Sequence, residues 1–155
     1  YHHEYSHHTR RCPRRLRFVR ALTDANVPVA VASRTHLVAW ARELMCMIKV
    51  DSKRTVADVI GTMPVEIFAG SKRAHFLEIH EKTNIPLPAM LFFDNERGNI
   101  EQVSQMGPTC VYCPQGMTEA VFREGLKRHA AEYNKKKRSA KWQEHFKVPR
   151  ERRKR

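Results

Sequence analysis

The sequence predicts an α/β protein, a parallel sheet between helical layers in the three-layer α/β/α, Rossmann-type arrangement. Three observations carry that expectation. Continuous apolar runs at 27–32 and 89–93 and short strand-like stretches at 65–68 and 109–112 recur along the chain. Stretches with apolar residues at helical spacing separate them, and each run stops at a polar or turn-forming residue. Strands alternating with helices imply right-handed crossovers, with a binding crevice at the carboxyl ends of the strands.

Pro13 suits the first turn of a helix, and Leu16, Val19 and Leu22 recur at helical spacing until Asp24-Ala25-Asn26 breaks the pattern, which predicts a helix over 13–25. The run Val27-Pro28-Val29-Ala30-Val31-Ala32 is β-branched and continuous, as a parallel strand covered on both faces is, and it ends at Ser33. A helix over 36–47 follows, then a polar stretch holding Asp51, Lys53, Arg54 and Gly61, then a short strand over 65–68 closed by Gly70-Ser71-Lys72. Residues 73–82 read as a helix with Phe76, Leu77 and His80 on one side, stopped by Asn84, Pro86 and Pro88. Ala89-Met90-Leu91-Phe92-Phe93 is another doubly apolar strand, ending at Asp94. A short helix over 99–106 stops at Gly107, a strand occupies 109–112, and Thr118 caps a helix running at least to His129.

At 155 residues the chain has the size of one domain, expected over 13–133 between a His- and Arg-rich terminus at 1–12 and a basic tail at 134–155. The net charge of +13 sits at the ends: residues 135–155 contribute +9, residues 10–20 contribute +6, and the rest sums to −2. Such basic ends bind phosphate-rich polymers or stay solvated. The apolar runs, about five to seven residues long, fall far short of the roughly 20 that span a bilayer, and no secretory signal is legible from Tyr1 onward. The four cysteines do not form a disulfide framework. A soluble, intracellular protein of a reducing compartment with no membrane partner is the expectation.

Ser33, Lys72 and Asp94 all lie at or just past strand ends, so the expected fold would bring them to one crevice. A hydroxyl and an ammonium suit a phosphate, and a carboxylate suits Mg²⁺, a hard cation that prefers oxygen. Each also has an ordinary reading: Ser33-Arg34-Thr35 as a helix N-cap, Lys72 as a surface lysine, and Asp94-Asn95 as a turn.

The stretches Val29-Ala30-Val31-Ala32-Ser33-Arg34-Thr35, Ala69-Gly70-Ser71-Lys72, Leu91-Phe92-Phe93-Asp94-Asn95-Glu96 and Gly107-Pro108-Thr109-Cys110-Val111 resemble consecutive motifs of the eukaryotic magnesium-dependent phosphatases of the haloacid dehalogenase (HAD-like) superfamily. With Gln115-Gly116-Met117-Thr118 the resemblance spans 13–130. It implies that Ser33 hydrogen-bonds the transferring phosphoryl group, Arg34 helps hold the substrate, Lys72 stabilises the phosphorylated intermediate, and Asp94 with Asn95 occupies the Mg²⁺ position. Substrates compatible with it are phosphomonoesters such as protein phosphotyrosine, sugar phosphates or glycation products. The family reaction also uses a D-x-D-x-T motif on a first strand, one aspartate as nucleophile and the other as acid and base. Here the aspartates are Asp24, Asp51, Asp58 and Asp94 only, and none forms such a pair. Asn95 replaces a second acid, with Glu96 beside it. The expectation is a HAD-like chain whose N-terminal strand is missing and which does not turn over alone.

His2, His3, His7, His8 and Cys12 allow either a transition-metal site or a polar terminus. Cys110-Val111-Tyr112-Cys113 has no second pair for zinc, and Cys110 reads as core. In the tail, Trp142 and Phe146 are four apart beside Lys135, Lys136, Lys137 and Arg138, which fits base stacking with phosphate contact, a solvated tail, or a nuclear-import signal. Two functions follow: a Mg²⁺-dependent phosphatase domain of the cytoplasm, or a non-catalytic HAD-fold subunit of a ribonucleoprotein such as a mitochondrial ribosome, its basic ends on RNA.

Overall fold

A computed structural model describes residues 17–138. The start of the first expected helix, the terminal histidines with Cys12, and Trp142 and Phe146 lie outside the described residues. The chain divides into two compact units, one ending at Asn84 and the other beginning at Ile85.

In the first unit, α1 (Arg17–Asp24) ends where Asn26 adopts a left-handed φ of 55° and Val27 N–H donates to the Leu22 carbonyl at 2.8 Å. Strand β1 (Val31–Ser33) pairs in parallel with β2 (Val65–Ile67), Val31 opposite Val65 and Ser33 opposite Ile67. The strand is shorter than the apolar run that predicts it. Pairing begins at Val31 N–H to the Pro64 carbonyl, 3.0 Å, because the chain before Val65 is still completing a turn from Gly61. Residues 27–30 therefore have no β2 partner, and Val27 is exposed.

Between the strands come α2 (Val38–Met47) and α3 (Val56–Ile60). The sequence reading leaves α3 as polar loop, yet its start carries a full capping box. Thr55 Oγ1 accepts the Asp58 N–H at 3.2 Å, and Asp58 Oδ2 accepts the Thr55 N–H at 2.7 Å. Helix α4 (Lys72–Thr83) starts at the N-cap Ser71 and ends on left-handed Asn84. It buries Lys72, His75, Phe76 and Ile79, a face spaced i, i+3, i+4, i+7. Leu77 is exposed instead of sharing the buried side with Phe76: two of the buried positions are polar, so apolar spacing alone misplaces the face. Val50, Val59, Ile60, Ile67, Phe76 and Ile79 form this core.

In the second unit, β3 (Leu91–Asp94) and β4 (Thr109–Tyr112) pair in parallel, Leu91 opposite Thr109 and Asp94 opposite Tyr112. A 3₁₀ turn over Leu87–Ala89 precedes β3. Helices α5 (Arg97–Ser104) and α6 (Glu119–Lys137) pack on the ladder. Gly125 on α6 is what lets the helix approach: a Cβ there would lie 2.6 Å from the Phe93 ring and 3.2 Å from Val111. Thr118 caps α6 as its sequence implies, accepting the Val121 N–H at 3.3 Å. The helix extends beyond Tyr133 to Lys137, so the first residues of the basic tail are helical. Among the described residues no helix is long and apolar enough to cross a membrane.

Candidate functional site

The carboxyl end of β1 carries Ser33, and its hydroxyl is not a helix cap. Helix α2 begins at Val38 with Leu37 as its N-cap, and among the described residues Ser33 Oγ accepts a single long bond, 3.4 Å, from the Thr35 N–H. The exposed side chain of Arg34 follows directly.

Lys72 is not a surface lysine. It is 6% exposed at the first position of α4, and its ammonium donates to the Ala32 carbonyl, the peptide group that joins Ala32 to Ser33. Residues 40 apart in sequence are thus drawn to the same strand end. Burying an ammonium is costly unless it is hydrogen-bonded, which this contact provides.

Beneath them lies His75, a residue that sequence reasoning overlooks. It is fully buried and stacked on Phe68 with ring centroids 3.9 Å apart, nearly parallel. Its Nδ1 lies 2.9 Å from the Ser71 carbonyl, and its Nε2 lies 2.8 Å from the Ser33 carbonyl and 3.1 Å from that of Phe68. Its spacing of three from Lys72 puts both on one helix face, the only signal the sequence offers.

In the second unit, Asp94 ends β3 and is half-buried. Oδ1 accepts the Glu96 N–H at 2.7 Å, the turn geometry an Asp-Asn pair favours, and the buried Asn99 amide donates to both carboxylate oxygens at 3.1 Å. Asn99 is also missed by motif reading, although α5 places it five residues on. Asn95 and Glu96 are exposed on this loop.

The remaining aspartates serve the scaffold. Asp58 closes the α3 capping box; Asp24 and Asp51 both pair with Arg54, at 2.9 and 2.7 Å. The Lys53 N–H and then the Arg54 side chain hold the Asp51 carboxyl down to about 2. The described cysteines are free thiols. Burial pushes Cys110 up to about 11, and burial followed by the Asp94 charge pushes Cys113 up, so neither is an activated nucleophile. Cys110, 2% exposed, is the core residue its strand position implies.

Parallel strand pairs with helices packed on them are the architecture of the haloacid dehalogenase-like class, to which comparison with known proteins assigns the chain. The family model described as acid phosphatase matches residues 4–132, and the chain belongs to that family, the magnesium-dependent branch of the class. It is 37% identical over 112 residues to the Homo sapiens protein named magnesium-dependent phosphatase 1, covering 72% of this chain and 59% of that one. To a HAD-like hydrolase superfamily protein of Schizosaccharomyces pombe it is 35% identical over 89 residues, 57% of this chain and 51% of the relative. The chain thus spans between half and three fifths of the length of these relatives.

Proposed function

We propose that this chain carries the phosphate-holding and metal-orienting residues of a HAD-type phosphomonoesterase without contributing the attacking aspartate. The observation that carries the reading is the burial of Lys72 with its ammonium on the Ala32–Ser33 peptide. There the Lys72 charge offsets negative charge developing on a phosphoryl group, and the Ser33 hydroxyl donates to a phosphoryl oxygen. Arg34 assists from the exposed side. Phosphorylated protein side chains and sugar phosphates both present the group that these residues would take.

The relative's name supports Mg²⁺, and the donors fit it in kind. Mg²⁺ takes one or two carboxylates and completes its shell with water and phosphate oxygens. Asp94 offers a carboxylate oriented by Asn99, next to the exposed Asn95. Among the described residues no group of three or more His, Cys, Asp or Glu side chains is placed to hold a metal ion. Bound at Asp94, the ion would neutralise phosphate charge. Asp24, Asp51 and Asp58 are committed to ion pairs and a helix cap, which supports the absence of a second acid for attack. With a chromogenic phosphate ester and Mg²⁺, the chain is expected to turn over no faster than Lys72→Ala. Mg²⁺-dependent turnover lost in Asp94→Asn would reveal another nucleophile and overturn the assignment.

A second reading, an RNA-contacting subunit of a ribonucleoprotein, is favoured by the exposure of Lys135, Lys137 and Arg138 at the end of α6. Lys136 is already engaged, donating to the Gly107 carbonyl at 2.6 Å. RNA binding through this tail should weaken steeply with salt, and Trp142→Ala with Phe146→Ala should cost about 1 to 3 kcal/mol per stacked base at an unchanged salt slope. Equal binding by the intact chain and one cut after Arg138 would remove the stacking tail from this reading.

A further inference from the structure

We propose that His75 is a positioning residue of the phosphate site: its imidazole fixes the carboxyl end of β1 against the first turn of α4, so that Ser33 and Lys72 keep one relative geometry. The proposal rests on the reading of Ser33 and Lys72 as phosphate-holding residues. His75 itself faces no ligand, because it is fully buried and its ring is covered by Phe68.

The three carbonyls around the ring belong to the last residue of β1, the residue after β2, and the N-cap of α4. All three partners are acceptors and a neutral ring carries one N–H, so either Nε2 donates to Ser33 and Phe68 or Nδ1 donates to Ser71. Lys72 stands one turn before His75 on the same helix face, and its reach to the Ala32 carbonyl requires α4 to start where it does. Phe68 returns the contact to β1, its N–H donating to the Ser33 carbonyl at 3.1 Å. An apolar residue would fill this volume without the cost of burying a polar ring, so the contacts made by the ring nitrogens distinguish histidine here.

The two nitrogens can be tested separately. Glutamine reaches as far as Nε2 and keeps a donor for the strand ends, whereas asparagine reaches only as far as Nδ1 and Ser71. The full chain is titrated with inorganic phosphate in the presence of Mg²⁺ while the Ser33 and Lys72 amide resonances are followed, for wild type, His75→Gln, His75→Asn and Lys72→Ala. Hydrogen exchange of the Phe68 amide reports the strand-end geometry without ligand. His75→Asn should weaken phosphate about tenfold, the size expected when a displaced strand end costs Ser33 or Lys72 one hydrogen bond to the charged ligand, and should speed Phe68 exchange; His75→Gln should restore both. In wild type, saturating phosphate should also shift the buried His75 ring nitrogen resonances. If Lys72→Ala weakens phosphate while His75→Asn binds like wild type, or if Gln and Asn lose affinity equally, the positioning role is overturned and the site stands. If Lys72→Ala binds phosphate like wild type, the site reading falls and the positioning role falls with it. Unshifted His75 resonances at saturation overturn the positioning role without any variant.

Discussion

The strand ends of the two units are built in opposite ways. At the end of β1, the polar groups are set by partners far away in sequence: Lys72 reaches the Ala32 carbonyl and His75 the Ser33 carbonyl, 40 and 42 residues back. At the end of β3, Asp94 is set by its neighbours, the Glu96 N–H and the Asn99 amide, two and five residues on. The second unit instead places its long-range polar cluster at the other end of its ladder. There the fully buried Thr109 hydroxyl donates to Glu132 at 2.9 Å and accepts from His129 Nδ1 at 3.2 Å, while Lys136 holds the Gly107 carbonyl. Long-range polar clusters cost free energy to desolvate and hold geometry only when every member is satisfied. In the first unit that cost falls at the proposed phosphate site; in the second it serves packing of α6.

If the units are separately stabilised, a defect in one should leave the other intact, and Gly125→Ala is the strongest such defect. The added methyl would sit 2.6 Å from the Phe93 ring, and overpacking of this kind costs about 1 to 3 kcal/mol. Amide exchange in β3 and β4 should accelerate while Ile67 and Phe76 keep their protection. Equal acceleration in both units would mean that they unfold together.

The converse change is smaller. Thr55→Ala removes the α3 N-cap and should destabilise the first unit by about 1 kcal/mol, with β3 and β4 unaffected. Chemical denaturation followed by exchange at Val59 and at Val103 would separate the two effects; loss at Val103 would contradict local action.

Local placement also decided what could be read from the sequence. The helices other than α3 and all four strands are legible from apolar runs, helical spacing, turn residues or caps, and Asp94 is legible because a strand end and an Asp-Asn turn coincide. The burial of Lys72 is not, since it depends on β1, and a lysine beside a turn normally faces solvent. His75 is hidden for the same reason, because apolar periodicity favours Leu77 at this face. The α3 helix was within reach: Thr55 and Asp58 have capping-box spacing, but a five-residue helix shows too little periodicity to be noticed.

The smallest expected effect distinguishes the clusters by pH. His129 is the only histidine among the described residues of the second unit. Burial first, and then the Lys136 charge, lower its pKa, with Glu132 opposing. A base with a lowered folded pKa binds fewer protons in the native state than in the unfolded chain. Its contribution is therefore fully present above the unfolded value, about 6.5, and is lost as pH falls through that value toward the lower folded one. Glu132 adds a separate step: burial raises its pKa, but the hydrogen bonds from Arg128 and Thr109 outweigh it and lower the net value, so its contribution is lost only in more acidic solution, below the ordinary glutamate range. Between pH 7.5 and 5.5 the second unit should lose protection at Thr109 and Cys110 through His129 alone. His129→Asn keeps a donor near the Nδ1 position but cannot titrate, so it should flatten this dependence while Thr109 stays hydrogen-bonded. An unchanged pH slope in that variant would assign the acid sensitivity to another group and leave the Thr109 cluster a pH-indifferent support for α6.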